Sequence, residues 1–87
     1  MAYTLLIKAS AQRELVNLPN ADRHLVENRI AALADNPRPN GCKPLRGNRF
    51  KGLYRIRSGD YRIIYQVQNS ELIVLVVKVG NRKDVYD

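Results

Sequence analysis

Arg55 and Arg57 stand two residues apart in the alternating stretch Leu53-Tyr54-Arg55-Ile56-Arg57, and Arg62 follows just beyond the turn Ser58-Gly59-Asp60. Alternate residues of a strand share a face, and cross-strand neighbours lie roughly 5 Å apart. The spacing therefore places Arg55, Arg57 and Arg62 on one sheet face, where several guanidinium groups can converge on one phosphate. The planar fork of arginine matches phosphate geometry better than the point charge of lysine. Arg46, Arg49 and Lys51 approach this face from one side; Arg82, Lys83 and Tyr86 follow the last strand and approach from the other. An open basic face with a terminal tyrosine suits a single-stranded nucleic acid, with cations holding the backbone and the ring stacking on a base.

A single arginine on the solvent side of a strand is an ordinary solubility feature. The cluster is different. Residues 43–83 carry ten cations and two anions, whereas residues 1–42 carry five and four. A segment so charged repels itself and needs a use. Tyr54, Tyr61 and Tyr65 fall on the apolar side of the same alternation and read as core rings, while Tyr86 lies outside it. His24, on a helix without an obvious partner, reads as a surface or capping residue, and Cys42 as an incidental thiol. Only Asp60 and Glu71 accompany the basic segment, both in turns, so the paired carboxylates of a two-metal nuclease are missing. Cleavage of RNA on this face would need no metal or other cofactor. The ribose 2′-hydroxyl would be the nucleophile, with Arg or Lys stabilising the charged phosphorane.

Elements must position these groups. Tyr3 to Lys8 reads as a short strand. Ser10 is a plausible N-cap for a helix over 10–18, with Ala11, Leu15 and Leu18 on one face and Pro19 ending it. Asn20 can cap a second helix, striped by Val26, Ile30 and Leu33 and stopped at Asn36-Pro37. So short a connection predicts an antiparallel helical hairpin. From Pro44 onward the period becomes that of strands: Leu53 to Arg57, Tyr61 to Val67, and Leu72 to Val79. The last is almost wholly aliphatic, as a central strand covered on both faces would be. The expected fold is α+β in the order β-α-α-β-β-β, one domain over 1–87. A three-stranded antiparallel meander is packed on one face by the hairpin, with the first strand at an edge or beside the last.

The chain has 87 residues, 45% of them apolar, and a net charge of +7. That composition excludes disorder, and the charge points to a polyanion or an acidic protein as partner. One cysteine and one histidine exclude an internal disulfide and a Cys/His zinc cluster. The apolar runs at Thr4–Ile7 and Leu72–Val77 are too short for a signal peptide or a bilayer span, so a cytoplasmic protein with no membrane role is expected. No Gly-rich phosphate loop, Gly-x-Ser-x-Gly elbow or His-Glu-x-x-His occurs.

Four stretches carry a family resemblance: Pro44-Leu45-Arg46-Gly47, Tyr54-Arg55-Ile56-Arg57, Gly59-Asp60-Tyr61-Arg62-Ile63-Ile64-Tyr65-Gln66-Val67, and Val79-Gly80-Asn81-Arg82-Lys83-Asp84-Val85-Tyr86. Together they resemble the RelE/ParE toxin superfamily, and its RelE branch most closely, over nearly the whole chain. The resemblance implies the toxin of a type II toxin–antitoxin pair: an mRNA interferase that enters the ribosomal A site and cuts mRNA, leaving a 2′,3′-cyclic phosphate. It implies that Arg62 stabilises the transition-state phosphate, that Arg82 acts as acid or clamp near the leaving group, and that Tyr86 stacks on or orients the scissile nucleotide. Arg55 falls where such toxins often carry a lysine implicated in proton abstraction or charge stabilisation. Leu53 stands where a further lysine is expected. A guanidinium, with a pKa above about 12, is a poor base. Lys51, two positions before Leu53, is the nearest substitute, and the identity of the general base stays open.

The implied partners are a cognate acidic RelB-like antitoxin, the ribosome with its rRNA and mRNA, and operator DNA only through the antitoxin. The alternative is a ParE-like inhibitor of DNA gyrase, with the same fold and charge and no RNase activity; the arginine–tyrosine ending favours the RelE branch. A third reading leaves the basic surface only the task of holding the antitoxin.

Overall fold

The computed structural model describes residues 2–45 and 52–81. Strand β1 (Thr4–Ile7) passes directly into helix α1 (Ala9–Val16). Lys8 makes the junction: its N–H donates to the Val76 carbonyl at 2.8 Å, and its own carbonyl accepts from Gln12 at 2.9 Å. One residue thus closes the strand pairing and opens the helix, so α1 starts ahead of the expected Ser10 cap and Lys8 holds the N-cap position. Helix α2 (Asn20–Leu33) begins the same way, with Pro19 rather than Asn20 at the cap. A proline has no N–H to leave unsatisfied there, and its carbonyl accepts from Arg23 at 2.8 Å. Asp22, in the first turn, complements the helix dipole and accepts a hydrogen bond from the Tyr61 hydroxyl at 3.0 Å. That contact ties α2 to the start of β4.

The sheet has five strands in the order β1-β5-β4-β3-β2, with β2 (Lys43–Pro44), β3 (Leu53–Ser58), β4 (Tyr61–Gln68) and β5 (Ile73–Asn81). The meander β3–β4–β5 is antiparallel as expected, and β1 pairs in parallel with β5 at an edge. The sheet is therefore mixed. It also holds one strand more than the sequence pattern reveals, because a two-residue β2 is too short to show a period. No helix among the described residues is long and apolar enough to cross a membrane.

The helices cover one face only. Ala11, Leu15, Val26, Ile30 and Leu33 meet Ile56, Ile63, Tyr65, Val67, Val74, Val76 and Val79 in a single cluster. Strand β5 is hydrogen-bonded on both sides, but Ile73, Leu75 and Val77 remain half-buried. Its aliphatic run reflects a central position in the sheet, and the expected cover of both faces is not what the helices provide.

Strand β5 contains a bulge that α1 supports. Tyr65 pairs with Val76 and Ile64 with Lys78, so Val77 is the extra residue. The pairing with β1 stops at Ile7 opposite Val76, leaving the later N–H groups of β5 without a strand on that side. Glu14 fills the place: its carboxylate accepts from the Val79 N–H at 3.0 Å and from Lys78 Nζ at 2.9 Å. Glu14→Ala strands a strand N–H and is expected to cost about 2 kcal/mol in urea unfolding, within the usual range for an orphaned donor. Glu14→Gln keeps an acceptor and should lose about half of that. Equal midpoints for wild type and Glu14→Ala would show that the carboxylate does not hold the bulge.

Candidate nucleic-acid interface

The face of the sheet away from the helices carries the arginines. Arg57 and Arg62 are direct cross-strand partners between β3 and β4, and Arg62 is flanked on its other side by Gly80 of β5. Two residues along, Arg55 lies between Ile64 of β4 and Lys43 of β2. The face therefore has two rows of cations, Lys43–Arg55 and Arg57–Arg62. Like charges directly opposite each other destabilise a sheet, and this sheet contains two such pairs. None of its five strands contains an Asp or Glu. Exposure falls across the rows: Lys43 and Arg57 are exposed, Arg55 is half-buried, and Arg62 is only 7% exposed. The innermost guanidinium thus sits beside Gly80, which adds no side chain, and Ile64, itself fully buried.

A groove of about 280 Å³ runs over this face, lined by Gly41, Lys43, Arg55, Ile56 and Arg57. Gly41 has φ +92°, a left-handed conformation that suits glycine. Lys43 is a basic residue on this face that the sequence pattern does not single out. Its only sequence signal is its place just before Pro44-Leu45, and the pairing with Arg55 emerges from β2 alone.

Arg46, Arg49, Lys51, Arg82, Lys83 and Tyr86 lie outside the described residues. Strand β3 begins at Leu53, and Gly52 before it has φ +82°. Leu45 N–H donates to Leu53 O at 3.0 Å, closing the ends of the segment that holds Arg46, Arg49 and Lys51. Strand β5 ends at Asn81, opposite Tyr61, at the other end of the face.

The shifted phenols belong to the helix side. The hydrogen bond to Asp22, with burial and the nearby carboxylates, pushes Tyr61 up. Burial, then the neighbouring Cys42, pushes Tyr65 up, and its hydroxyl donates to the Pro37 carbonyl at 2.7 Å. Tyr65 stacks on Tyr54 with centroids 5.8 Å apart, and the Arg38 guanidinium lies 5.3 Å from the Tyr54 ring centre. These rings are core and its rim, as their alternation indicates. His24 is exposed on α2, 3.8 Å from Glu27, away from the arginine rows.

A small mixed sheet with two helices on one face is a fold shared with solved toxins. A family model described as the ParE toxin of the type II toxin–antitoxin system parDE matches residues 5–86. The chain belongs to this family, within the RelE/ParE superfamily, and is a toxin of a toxin–antitoxin system. It is 35% identical over 85 residues to Toxin RelE of Mycobacterium tuberculosis, covering 97% of this chain and 86% of that protein. It is 27% identical over 88 residues to the mRNA interferase toxin RelE of Escherichia coli K12, covering 95% and 86%. In three dimensions it resembles the M. tuberculosis RelBE2 toxin–antitoxin complex, with TM-score 0.83, 28% identity, and coverage of 94% of this chain and 100% of that one. It also resembles the isolated E. coli RelE toxin, with TM-score 0.78, 30% identity, and coverage of 92% and 84%.

Proposed function

We propose that this toxin is a ribosome-dependent endoribonuclease that cleaves mRNA in the A site and so stops translation. The observation that carries the reading is Arg62: nearly buried, directly opposite Arg57, and next to the row of Arg55, on a sheet with no acidic residue in any strand. Guanidinium groups so held stabilise charge that develops on a phosphate without having to reorganise. The E. coli relative's name, mRNA interferase toxin, supports the same chemistry.

In the proposed reaction the ribose 2′-oxygen attacks the adjacent phosphorus while the bond from phosphorus to the 5′-oxygen breaks. The 2′-hydroxyl loses its proton and the departing 5′-oxygen gains one, giving a 2′,3′-cyclic phosphate and a 5′-hydroxyl. Arg62 neutralises the phosphorane, while Arg57 opposite it and Arg55 in the next row help hold the backbone. Arg82 follows Asn81, the last residue of β5, directly in the sequence, and Gly80 of that strand is the cross-strand partner of Arg62. This connectivity supports a role for Arg82 at the leaving group, with Tyr86 orienting the nucleotide and Arg46, Arg49, Lys51 and Lys83 contacting RNA. Solved toxin–antitoxin complexes of relatives support a RelB-like antitoxin as partner, and the net charge of +7 favours an acidic one.

Primer extension on programmed ribosomes tests the reading, with a gyrase supercoiling assay run beside it. The expected result is a cut within the A-site codon and unchanged supercoiling. Inhibited supercoiling with intact mRNA would establish the gyrase alternative instead, which the ParE description of the matching family keeps in view.

A further inference from the structure

We infer that Lys43 and Arg55 form a second phosphodiester site, which holds the nucleotide next to the one bound by Arg57 and Arg62. The inference rests on the reading that this face takes RNA. Lys43 and Arg55 are direct cross-strand partners, and so are Arg57 and Arg62. Their rows are two residues apart along β3, about 6.8 Å at the rise of an antiparallel strand. That separation is comparable with the distance between successive phosphates of an extended single strand. Each row presents two cations, and one groove is lined by Lys43 and Arg55 of the first row and Arg57 of the second. Among the described residues, its chain neighbours aside, no atom lies within 4 Å of the place a Cβ would take on Gly41, beside Lys43 on the rim.

Each row runs from an exposed cation to a more buried one, and the two rows differ in how deeply they end. Lys43 is exposed and Arg55 half-buried, whereas the second row ends on the nearly buried Arg62. The outer row meets the strand's backbone in water, and the inner row holds the phosphate where charge develops. Lys43 therefore contributes to binding in the ground state and the transition state alike. Its loss raises KM and leaves kcat in place, while loss of Arg62 lowers kcat. An acidic peptide could also place carboxylates against one row. Two cation rows spaced along β3, three of their four cations lining one groove, favour the repeating phosphates of a nucleic acid.

The test measures affinity of the full-length toxin for a 2′-O-methyl RNA oligomer, which lacks the nucleophile, across a salt series. Each phosphate neutralised contributes about 0.7 to the slope of log K against log salt for a single strand. Lys43→Gln should lower the slope by about 0.7, equally for oligomers of different sequence, and Lys43→Arg should restore it. In ribosomal cleavage, Lys43→Gln should raise KM several-fold with kcat within about twofold of wild type. An unchanged slope in Lys43→Gln overturns the inference. So does a Lys43-dependent affinity for poly-glutamate with an oligomer affinity that ignores Lys43. Wild type that binds the oligomer with the expected Lys43 dependence but leaves ribosomal mRNA intact would instead sink the nuclease reading and keep the phosphate site.

Discussion

Arg62→Ala is expected to lower the turnover of A-site cleavage by about 100- to 1,000-fold, the loss typical of removing one preorganised donor from a developing oxyanion. Among the described residues Arg62 is the most buried of the cations on this face, at 7% exposure, and its cross-strand neighbours are Arg57 and Gly80. Its charge acts through less water than that of the exposed Arg57, so the two variants should differ. Arg57→Ala removes a solvated charge and relieves a like-charge pair, and should cost roughly tenfold or less, mainly in KM. Arg62→Lys keeps the charge but loses the planar fork, and should recover only a small part of the rate. Circular dichroism and thermal melting accompany the kinetics, so that loss of rate is read from folded protein. A folded Arg62→Ala that cuts as well as wild type removes this residue from the chemistry.

The part of this arrangement legible in the sequence is the part governed by strand alternation. Tyr54 and Ile56 against Arg55 and Arg57, and Ile63 and Tyr65 against Arg62, fall on opposite faces as a period of two requires. The core stripe Val26, Ile30 and Leu33 follows from helical spacing in the same way. What alternation cannot reveal is pairing across long separations. The β2–β3 register that sets Lys43 against Arg55 involves only two residues of β2, which carry no period. Helix starts were displaced for a local reason: Lys8 and Pro19 supply the cap positions through their backbone, so Ser10 and Asn20 have no capping work to do. Glu14 was invisible as a structural residue because its use depends on where β1 stops relative to the bulge in β5.

Tyr65 gives the largest expected effect on stability. It is fully buried, stacks on Tyr54 and donates its hydroxyl to Pro37 O at 2.7 Å, tying β4 to the chain that leaves α2. Tyr65→Ala empties the place of a large core ring and should cost about 4 kcal/mol. A domain of this size has roughly 4–13 kcal/mol in total, so the variant should lose about a third or more of its stability and melt at a much lower temperature than wild type. Tyr65→Phe keeps the ring and leaves the Pro37 carbonyl without its donor, at a cost of about 1–2 kcal/mol. The two variants also differ in alkali. The folded protein holds the Tyr65 phenol protonated above its ordinary value of 10.0, because burial penalises the phenolate. The stabilisation is therefore complete below pH 10 and is lost as pH rises above it, when the unfolded chain ionises and the native chain does not. The slope contributed by this one group approaches about 1.4 kcal/mol per pH unit. Tyr61, raised by its bond to Asp22, adds a loss of the same sign. Urea midpoints between pH 9 and 11.5 should fall for wild type and fall less steeply for Tyr65→Phe. Parallel curves for the two proteins would mean that the native structure does not hold the Tyr65 proton.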